Sequence, residues 1–159
     1  MEHIGQTLGD IMYDMKEELI MALKQLLADE YAFYFKAHGH HWNVESKMFS
    51  QYHEFYAEIA DDVYGSIDPT AENIRKLGAY APYKMSRLME LTSIPETDVS
   101  SDCESMNADL LSANEMILVT INKAFSIANA ANEQGIADFL ASRDDMHKKW
   151  SWQLRASMG

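Results

Sequence analysis

Cysteine, proline and glycine are scarce in this sequence, and each shortage removes a class of structure. The single cysteine, Cys103, cannot form a disulfide within the chain, which argues against a disulfide-stapled secreted scaffold. Only three prolines and seven glycines interrupt 159 residues that are rich in good helix formers. The composition therefore predicts an all-α protein with one domain over residues 1–159, whose first part, residues 1–10, is a flexible N-terminal segment.

Long apolar runs and basic clusters are also missing. No stretch of about 18 apolar residues occurs, so no transmembrane helix is predicted, and the N-terminus lacks the basic and apolar regions of a signal peptide. With the lone cysteine, this indicates a cytoplasmic protein. The net charge is −12, and the first fifteen residues contain no Lys or Arg. Binding to DNA or to anionic membranes depends on basic side chains, so neither partner is expected.

Apolar residues are present at steps of three and four along most of the chain, which is the spacing of amphipathic helices. A capping-box sequence, Ser101-Asp-Cys-Glu104, precedes one of these apolar runs, and Gly135 interrupts the pattern near the end. Four long helices are predicted, over residues 10–41, from Met48 to near Gly78, from the capping box onward, and over about Ile136–Met158.

The segment 79–100 is longer than a hairpin connection needs. It contains Pro82 and Pro95 around a short amphipathic piece, Ser86–Leu91. Two helical hairpins joined by such a crossover predict a ferritin-like four-helix bundle with one long crossover containing a short helix.

Histidines and carboxylates near the first hairpin are candidate metal ligands. The stretch AHGHHWNV places His41 at the end of the first helix, and His53 lies early in the second; Asp68 and Glu72 follow on one face. His53 and Asp68 are fifteen residues apart, roughly 22 Å along a helix, whereas ligands of one ion lie about 2 Å from it. If they act together, they must come from different subunits, paired across a two-fold axis. Imidazole and carboxylate ligands suit iron or zinc.

The usual metal centre inside a helical bundle is not predicted. In-bundle di-iron carboxylate centres need a Glu-x-x-His motif on each of two helices. No glutamate stands three residues before any of the six histidines, and Asp144-x-x-His147 is the nearest approach.

The motif His41-Trp-Asn-Val44, then His53, then Asp68-Pro-Thr-Ala-Glu72, resembles the signature of the Dps family, the mini-ferritins named for DNA protection during starvation. The ending Met146–Ala156 is also similar to the last helix of that family. The resemblance covers nearly the whole chain, and the histidine-to-carboxylate spacing is its most specific part.

The resemblance implies a hollow homododecamer whose ferroxidase sites lie at two-fold interfaces. His41 and His53 of one subunit would meet Asp68 and Glu72 of another, bind iron, oxidise Fe(II) with hydrogen peroxide or oxygen, and store Fe(III) inside. Zinc would serve as a surrogate metal at the same site. Glu133 and Asp138 would line an acidic three-fold pore.

Two positions depart from the family pattern. Many members carry another carboxylate one turn after the second histidine, where this chain has Ala57, so one iron is expected to bind firmly and a second weakly. Pro69 falls inside the second helix, removes a backbone donor and presses on the carbonyl of Gly65, so a bend is expected there.

The other histidines and aromatic residues have weaker signals. His38, one turn before His41, is a candidate helper, whereas His40 is expected on the surface without a role. Trp42 is interpreted either as an interceptor of radicals or as an anchor of the hairpin, and His147 as a structural histidine.

Two other functions are compatible with these residues. Ala57 and Pro69 favour a structural shell or nucleoid-associated protein with weak or no ferroxidase activity. The histidine cluster at 38–41 favours a zinc or copper buffer that would not need Asp68 and Glu72.

Overall fold

A computed structural model describes residues 5–159, and in this range five helices and no strand are found. The helices are α1 Leu8–Asn43, α2 Phe49–Lys76, α3 Met85–Leu91, α4 Cys103–Ala130 and α5 Gln134–Ala156. The four long helices form the predicted bundle, in which α1 packs mainly against α2 and α4, and α4 against α5. The short α3 lies in the crossover and packs against α1. The all-α, ferritin-like prediction is therefore confirmed.

Apolar residues at the predicted spacing fill the interior of the bundle. All four long helices contribute fully buried side chains: Leu19, Leu23, Leu26, Phe33, Tyr56, Ile59, Leu110, Ile117, Ile121, Leu140 and Leu154. Burial of this apolar surface is the main driving force for the fold, at roughly 1.5–3 kcal/mol for each large side chain.

Helix α1 begins earlier than expected because a polar cap precedes it. The hydroxyl of Thr7 accepts a hydrogen bond from the backbone N–H of Asp10, and the Asp10 carboxylate accepts the N–H of Thr7. The helix therefore starts within residues 1–10, the segment predicted to be flexible. Residues 1–4 of that segment lie outside the described residues.

Two other helix starts differ from the prediction. The N-cap of α4 is Asp102, whose carboxylate accepts from the N–H of Ser105 at 3.0 Å, so the predicted Ser101–Glu104 capping box is wrong by one residue. The break before α5 lies at Asn132, which has φ 58°, and Gly135 is already inside the helix. Asparagine tolerates this left-handed conformation better than most residues do.

Helix α2 continues through Pro69 without interruption. Gly65, four residues before the proline, is exposed, and nothing lies within 4 Å of the position where it would carry a Cβ. The bend at Pro69 stays a prediction.

A buried carboxylate fastens the crossover to the bundle. Asp29 of α1 accepts hydrogen bonds from the hydroxyls of Thr92, Ser93 and Thr120 and from the N–H of Ser93, at 2.6–3.1 Å. Several donors compensate for the cost of burying a carboxylate. The crossover is therefore fixed to α1 and α4 by a polar contact as well as by apolar packing.

His147 lies in a second buried polar cluster, between α2, α4 and α5. Its Nδ1–H donates to the Asn114 amide oxygen at 2.7 Å, and its Nε2 accepts from the guanidinium of Arg143 at 3.0 Å. Arg143 also forms a two-pronged ion pair with Asp62. Burial, together with the nearby Arg143 charge, lowers the pKa of His147 to about 3. His147 is a structural histidine, as predicted.

None of the helices formed by residues 5–159 is both long enough and apolar enough to span a membrane.

Candidate functional site

His41 and His53 are held together by reciprocal hydrogen bonds across the first helical hairpin. The Nδ1 of His41 lies 2.5 Å from the backbone oxygen of His53, and the Nδ1 of His53 lies 2.7 Å from the backbone oxygen of His41. The two rings are stacked, with centroids 3.8 Å apart. The structure thus brings this histidine pair together within one chain.

These contacts determine which ring nitrogen carries the proton. A carbonyl oxygen can only accept a hydrogen bond, so each Nδ1 must carry hydrogen. In the neutral ring each Nε2 then has a free lone pair, which is the form of imidazole that binds a metal ion. A backbone carbonyl that orients the ring through its other nitrogen is a common second partner of metal-binding histidines. The histidine pair is therefore arranged as two neighbouring ligands.

The carboxylate pair, Asp68 and Glu72, is on the exposed surface of α2 one helical turn apart. Its distance along the helix from His53 leaves the two pairs well separated, as the spacing requires. Within residues 5–159 of a single chain, no group of three or more His, Cys, Asp or Glu side chains is placed to hold a metal ion. Either pair alone is an incomplete site.

Aromatic rings continue from the histidine pair towards the carboxylate pair. The ring of His38 stacks on those of His41 and Tyr34, with centroids 5.8 Å and 5.2 Å apart. The rings of Tyr34 and Tyr64 are also in contact, with centroids 5.2 Å apart. Tyr31 lies near the carboxylate end of this row of rings. Burial raises its pKa most, and the neighbouring charges of Tyr64 and Asp68 raise it further. His38 therefore lies against His41, where the predicted helper would be.

His40 is not a surface residue without a role, and that prediction is wrong. Its side chain is only 8% exposed, and its Nε2 lies 2.9 Å from Asp109 of α4, which also binds Lys36. Helical geometry explains the difference, because consecutive residues point about 100° apart and His40 faces α4 while His41 faces α2. His40 is thus unavailable to a metal-binding cluster at 38–41, which counts against the zinc or copper buffer.

The surroundings of His53 lack the additional carboxylate that many members of the Dps family carry. Ala57, one turn after His53, is half-buried and offers no ligand atom, while Glu54 and Glu58 beside it are exposed. At the opposite end, Glu133 precedes α5 and Asp138 lies exposed in its second turn. The acidic pore stays a prediction for these two residues.

Large apolar side chains are left in solvent around both pairs. The ring of Phe49 stacks on that of His53, with centroids 4.8 Å apart, and the rings of Trp42 and His38 have centroids 4.4 Å apart. Phe49 and Trp42 are nevertheless exposed. Met48 and Phe49, where the apolar pattern of the second helix begins, are among these exposed residues. The exposed apolar side chains next to the two pairs, called the apolar rim below, are Trp42, Met48, Phe49 and Tyr64. Exposed apolar side chains grouped in this way are a common feature of protein interfaces.

A groove of about 490 Å³ lies between α1 and the crossover, and Tyr83, Met85 and Met89 are among its lining residues. Lys36 and His40 form part of its wall, so its polar end is the cluster around Asp109. The groove thus adjoins the buried face of His40 rather than the free nitrogens of the histidine pair.

Known proteins of similar length match nearly the whole chain. The family model for the ferritin-like domain matches residues 20–158. DNA protection during starvation protein 2 of Bacillus anthracis is 29% identical over 142 residues, which cover 89% of this chain and 97% of that protein. General stress protein 20U of Bacillus subtilis is 26% identical and is covered completely, by 91% of this chain.

Two solved structures extend this comparison. The Dps protein of Vibrio cholerae O1, described as a member of a broad superfamily of ferritin-like diiron-carboxylate proteins, has a TM-score of 0.88 at 27% identity and covers 92% of each chain. Dps from Thermosynechococcus elongatus, at 20% identity, shows the fold with a TM-score of 0.90 over 94% of this chain and 95% of its own. The chain belongs to the ferritin-like domain family and is, within it, a mini-ferritin of the Dps family.

Proposed function

We propose that this protein is an iron-storage ferroxidase of the Dps type. It oxidises Fe(II) with hydrogen peroxide at sites shared between subunits of a hollow dodecamer, and it stores Fe(III) in the interior. The observation that carries the proposal is the histidine pair, whose reciprocal hydrogen bonds leave two neighbouring Nε2 lone pairs free. Such a pair is well suited to a metal ion.

The missing ligands come from a second subunit. An antiparallel arrangement of α2 with its own copy across a two-fold axis brings the carboxylate pair of one chain to the histidine pair of the other. The symmetry produces two equal sites in each dimer. The apolar rim around both pairs supports this arrangement, because contact between two copies would cover it.

Each part of the site has a separate chemical role. The imidazoles bind Fe(II) as it enters, and the carboxylates of Asp68 and Glu72 stabilise the Fe(III) product, because harder oxygen ligands favour the higher charge. Two Fe(II) ions and one hydrogen peroxide, with two protons, give two Fe(III) ions and two waters. Consuming peroxide in this way prevents hydroxyl radicals and protects the cytoplasm from oxidative damage.

Supply of iron is the remaining element of the proposal. Glu133 and Asp138 of neighbouring subunits line an acidic passage at a three-fold axis, through which the cation reaches the interior. The strongly negative charge of the chain favours the accumulation of cations, and it disfavours DNA as a partner. Molecular oxygen is the alternative oxidant, and zinc is a non-oxidisable surrogate for Fe(II).

The double variant His53→Ala, Asp68→Ala tests the site directly. Removing one ligand from each pair should reduce the initial rate of Fe(II) oxidation by hydrogen peroxide by more than about tenfold. Stopped-flow absorbance of the Fe(III) product measures this rate, and light scattering verifies that the variant still assembles. An unchanged rate in an assembled variant would mean that iron is oxidised elsewhere.

The same measurement separates the ferroxidase from a structural shell. A shell without efficient oxidation predicts that the unaltered protein assembles but oxidises Fe(II) no faster than buffer does. Retardation of DNA at low salt would then favour a nucleoid-associated role.

A further inference from the structure

Helix α4 contacts the end of α1 immediately beside the histidine pair. His40, which precedes His41, donates from Nε2 to the Asp109 carboxylate at 2.9 Å, and its ring is almost fully buried. The ammonium group of Lys36, one turn earlier in α1, lies 2.9 Å from the same carboxylate. Thr97 of the crossover adds a hydroxyl donor at 3.1 Å. Asp109 therefore fastens the last turn of α1, on which His41 is carried.

The neighbouring part of α4 contacts α2 in the same way. Tyr56, three residues after His53, is fully buried, and its hydroxyl donates to the amide oxygen of Asn107 at 2.8 Å. The rings of Tyr56 and His40 are also in contact, with centroids 5.9 Å apart. Asn107 and Asp109 are only two residues apart, so one turn of α4 holds both helices.

The histidine pair depends on the relative position of these helices. Each of its two hydrogen bonds joins a side chain of one helix to the backbone of the other, so a shift between α1 and α2 changes both. Lost hydrogen bonds would free the rings to rotate and to exchange the proton between Nδ1 and Nε2. On the solvent side of the histidine pair, the side chains of the apolar rim are exposed and provide no comparable buried contact.

We propose that Asn107 and Asp109, acting through Tyr56 and His40, are positioning residues that hold the histidine pair in its metal-binding arrangement. This inference rests on the proposed function, because the pair must bind iron for its position to matter. Burial alone would raise the pKa of Asp109, but hydrogen bonds from His40 and Lys36 lower it overall, so the group is an acceptor at neutral pH. None of these four residues is a ligand in the proposed site.

Binding of Co(II) alone to the assembled protein tests the positioning role. Tyr56→Phe removes only the hydroxyl, and Asp109→Ala removes the acceptor of His40; each should weaken Co(II) binding by about tenfold, as loss of outer-sphere partners does in other metal sites. The visible absorption of bound Co(II) should change as well, because a displaced ring alters the ligand geometry. Asp109→Asn, which retains an oxygen acceptor, should restore part of the affinity.

Thr120→Val is the matched control. Like Tyr56→Phe, it removes one buried hydroxyl from a contact made by α4, here to α1, where Thr120 donates to Asp29 at 2.6 Å. Asp29 lies twelve residues before His41, roughly 18 Å along α1. This variant should lower the thermal unfolding temperature about as much as Tyr56→Phe does, while Co(II) affinity and the Co(II) spectrum stay unchanged.

The outcomes separate this inference from the function on which it rests. If His53→Ala, Asp68→Ala abolishes Co(II) binding but Tyr56→Phe behaves like Thr120→Val, the positioning role is wrong and the site assignment stands. If the double variant also binds Co(II) normally, the site assignment is wrong and the positioning role is lost with it. Should Asp109→Ala fail to assemble, Tyr56→Phe alone decides.

Discussion

Two inactive variants of this protein should restore each other's activity when they assemble together. Subunits with His41→Ala and His53→Ala lack the histidine pair, and subunits with Asp68→Ala and Glu72→Ala lack the carboxylate pair. Each variant alone should form shells without rapid oxidation of Fe(II). In a mixed dimer one of the two sites receives both intact pairs, and the other receives neither. Random pairing of equal amounts should therefore restore about a quarter of the sites of the unaltered protein.

Co-expression with two different affinity tags provides the mixed shells, and stopped-flow oxidation by hydrogen peroxide counts the active sites. The control mixes two differently tagged batches of the histidine variant, which should stay inactive. Activity in the mixed shell requires ligands from two chains, because no single chain in it carries both pairs. A mixed shell as inactive as its components would exclude the shared site, even if iron bound to either pair.

The arrangement of the histidine pair illustrates what the sequence could and could not predict. The spacing of His41, His53 and Asp68 was sufficient to show that one helix cannot close a site, because helical rise is nearly constant. The direction in which each side chain points could not be predicted in the same way. His40 was expected on the surface without a role, yet its environment depends on Asp109, 69 residues later in the chain. Only the packing of α4 against α1 brings these residues together.

Sequence patterns predicted where the helices lie, but they did not predict the polar contacts at the helix ends and in the interior of the bundle. Periodicity identified all four long helices and the short one, but Asp102 and Asn132 set boundaries that apolar spacing does not reveal. Met48 and Phe49 satisfied the same periodicity and are nevertheless exposed, since apolar spacing alone does not distinguish a buried helix face from an exposed one.

Glu30 is a polar residue that the pattern itself could have identified. It is four residues after Leu26 and three before Phe33, so it falls on the buried stripe of α1, and the structure leaves it 1% exposed. One carboxyl oxygen accepts from the Thr70 hydroxyl at 2.7 Å, while the other, Oε2, has no hydrogen-bonding partner. Burial raises the pKa of Glu30 to about 8, although Thr70 and the charge of Arg143 act in the opposite direction.

This raised pKa makes stability depend on pH in a definite direction. Between its ordinary pKa of 4.5 and about 8, Glu30 stays protonated in the folded protein but ionises in the unfolded chain. The unfolded state therefore binds fewer protons, and the free energy of unfolding falls as the pH rises through this range. His147 acts in the opposite sense at lower pH, since its pKa near 3 in the folded protein means that stability is lost as the pH falls below 6.5.

Replacing Glu30 with glutamine should remove the first of these effects. The amide of the new side chain is neutral at every pH and retains an oxygen for Thr70, so the Glu30→Gln variant should gain stability relative to the unaltered protein as the pH rises from 4.5 to 8. The gain is up to about 5 kcal/mol, corresponding to the difference between the two pKa values. Guanidinium unfolding at fixed protein concentration across this range measures it, and Glu115→Gln on the exposed surface of α4 is the control. The contribution of His147 is common to all the proteins and cancels in the comparison. A stability difference between Glu30→Gln and the unaltered protein that stays constant from pH 4.5 to 8 would show that Glu30 ionises normally in the bundle.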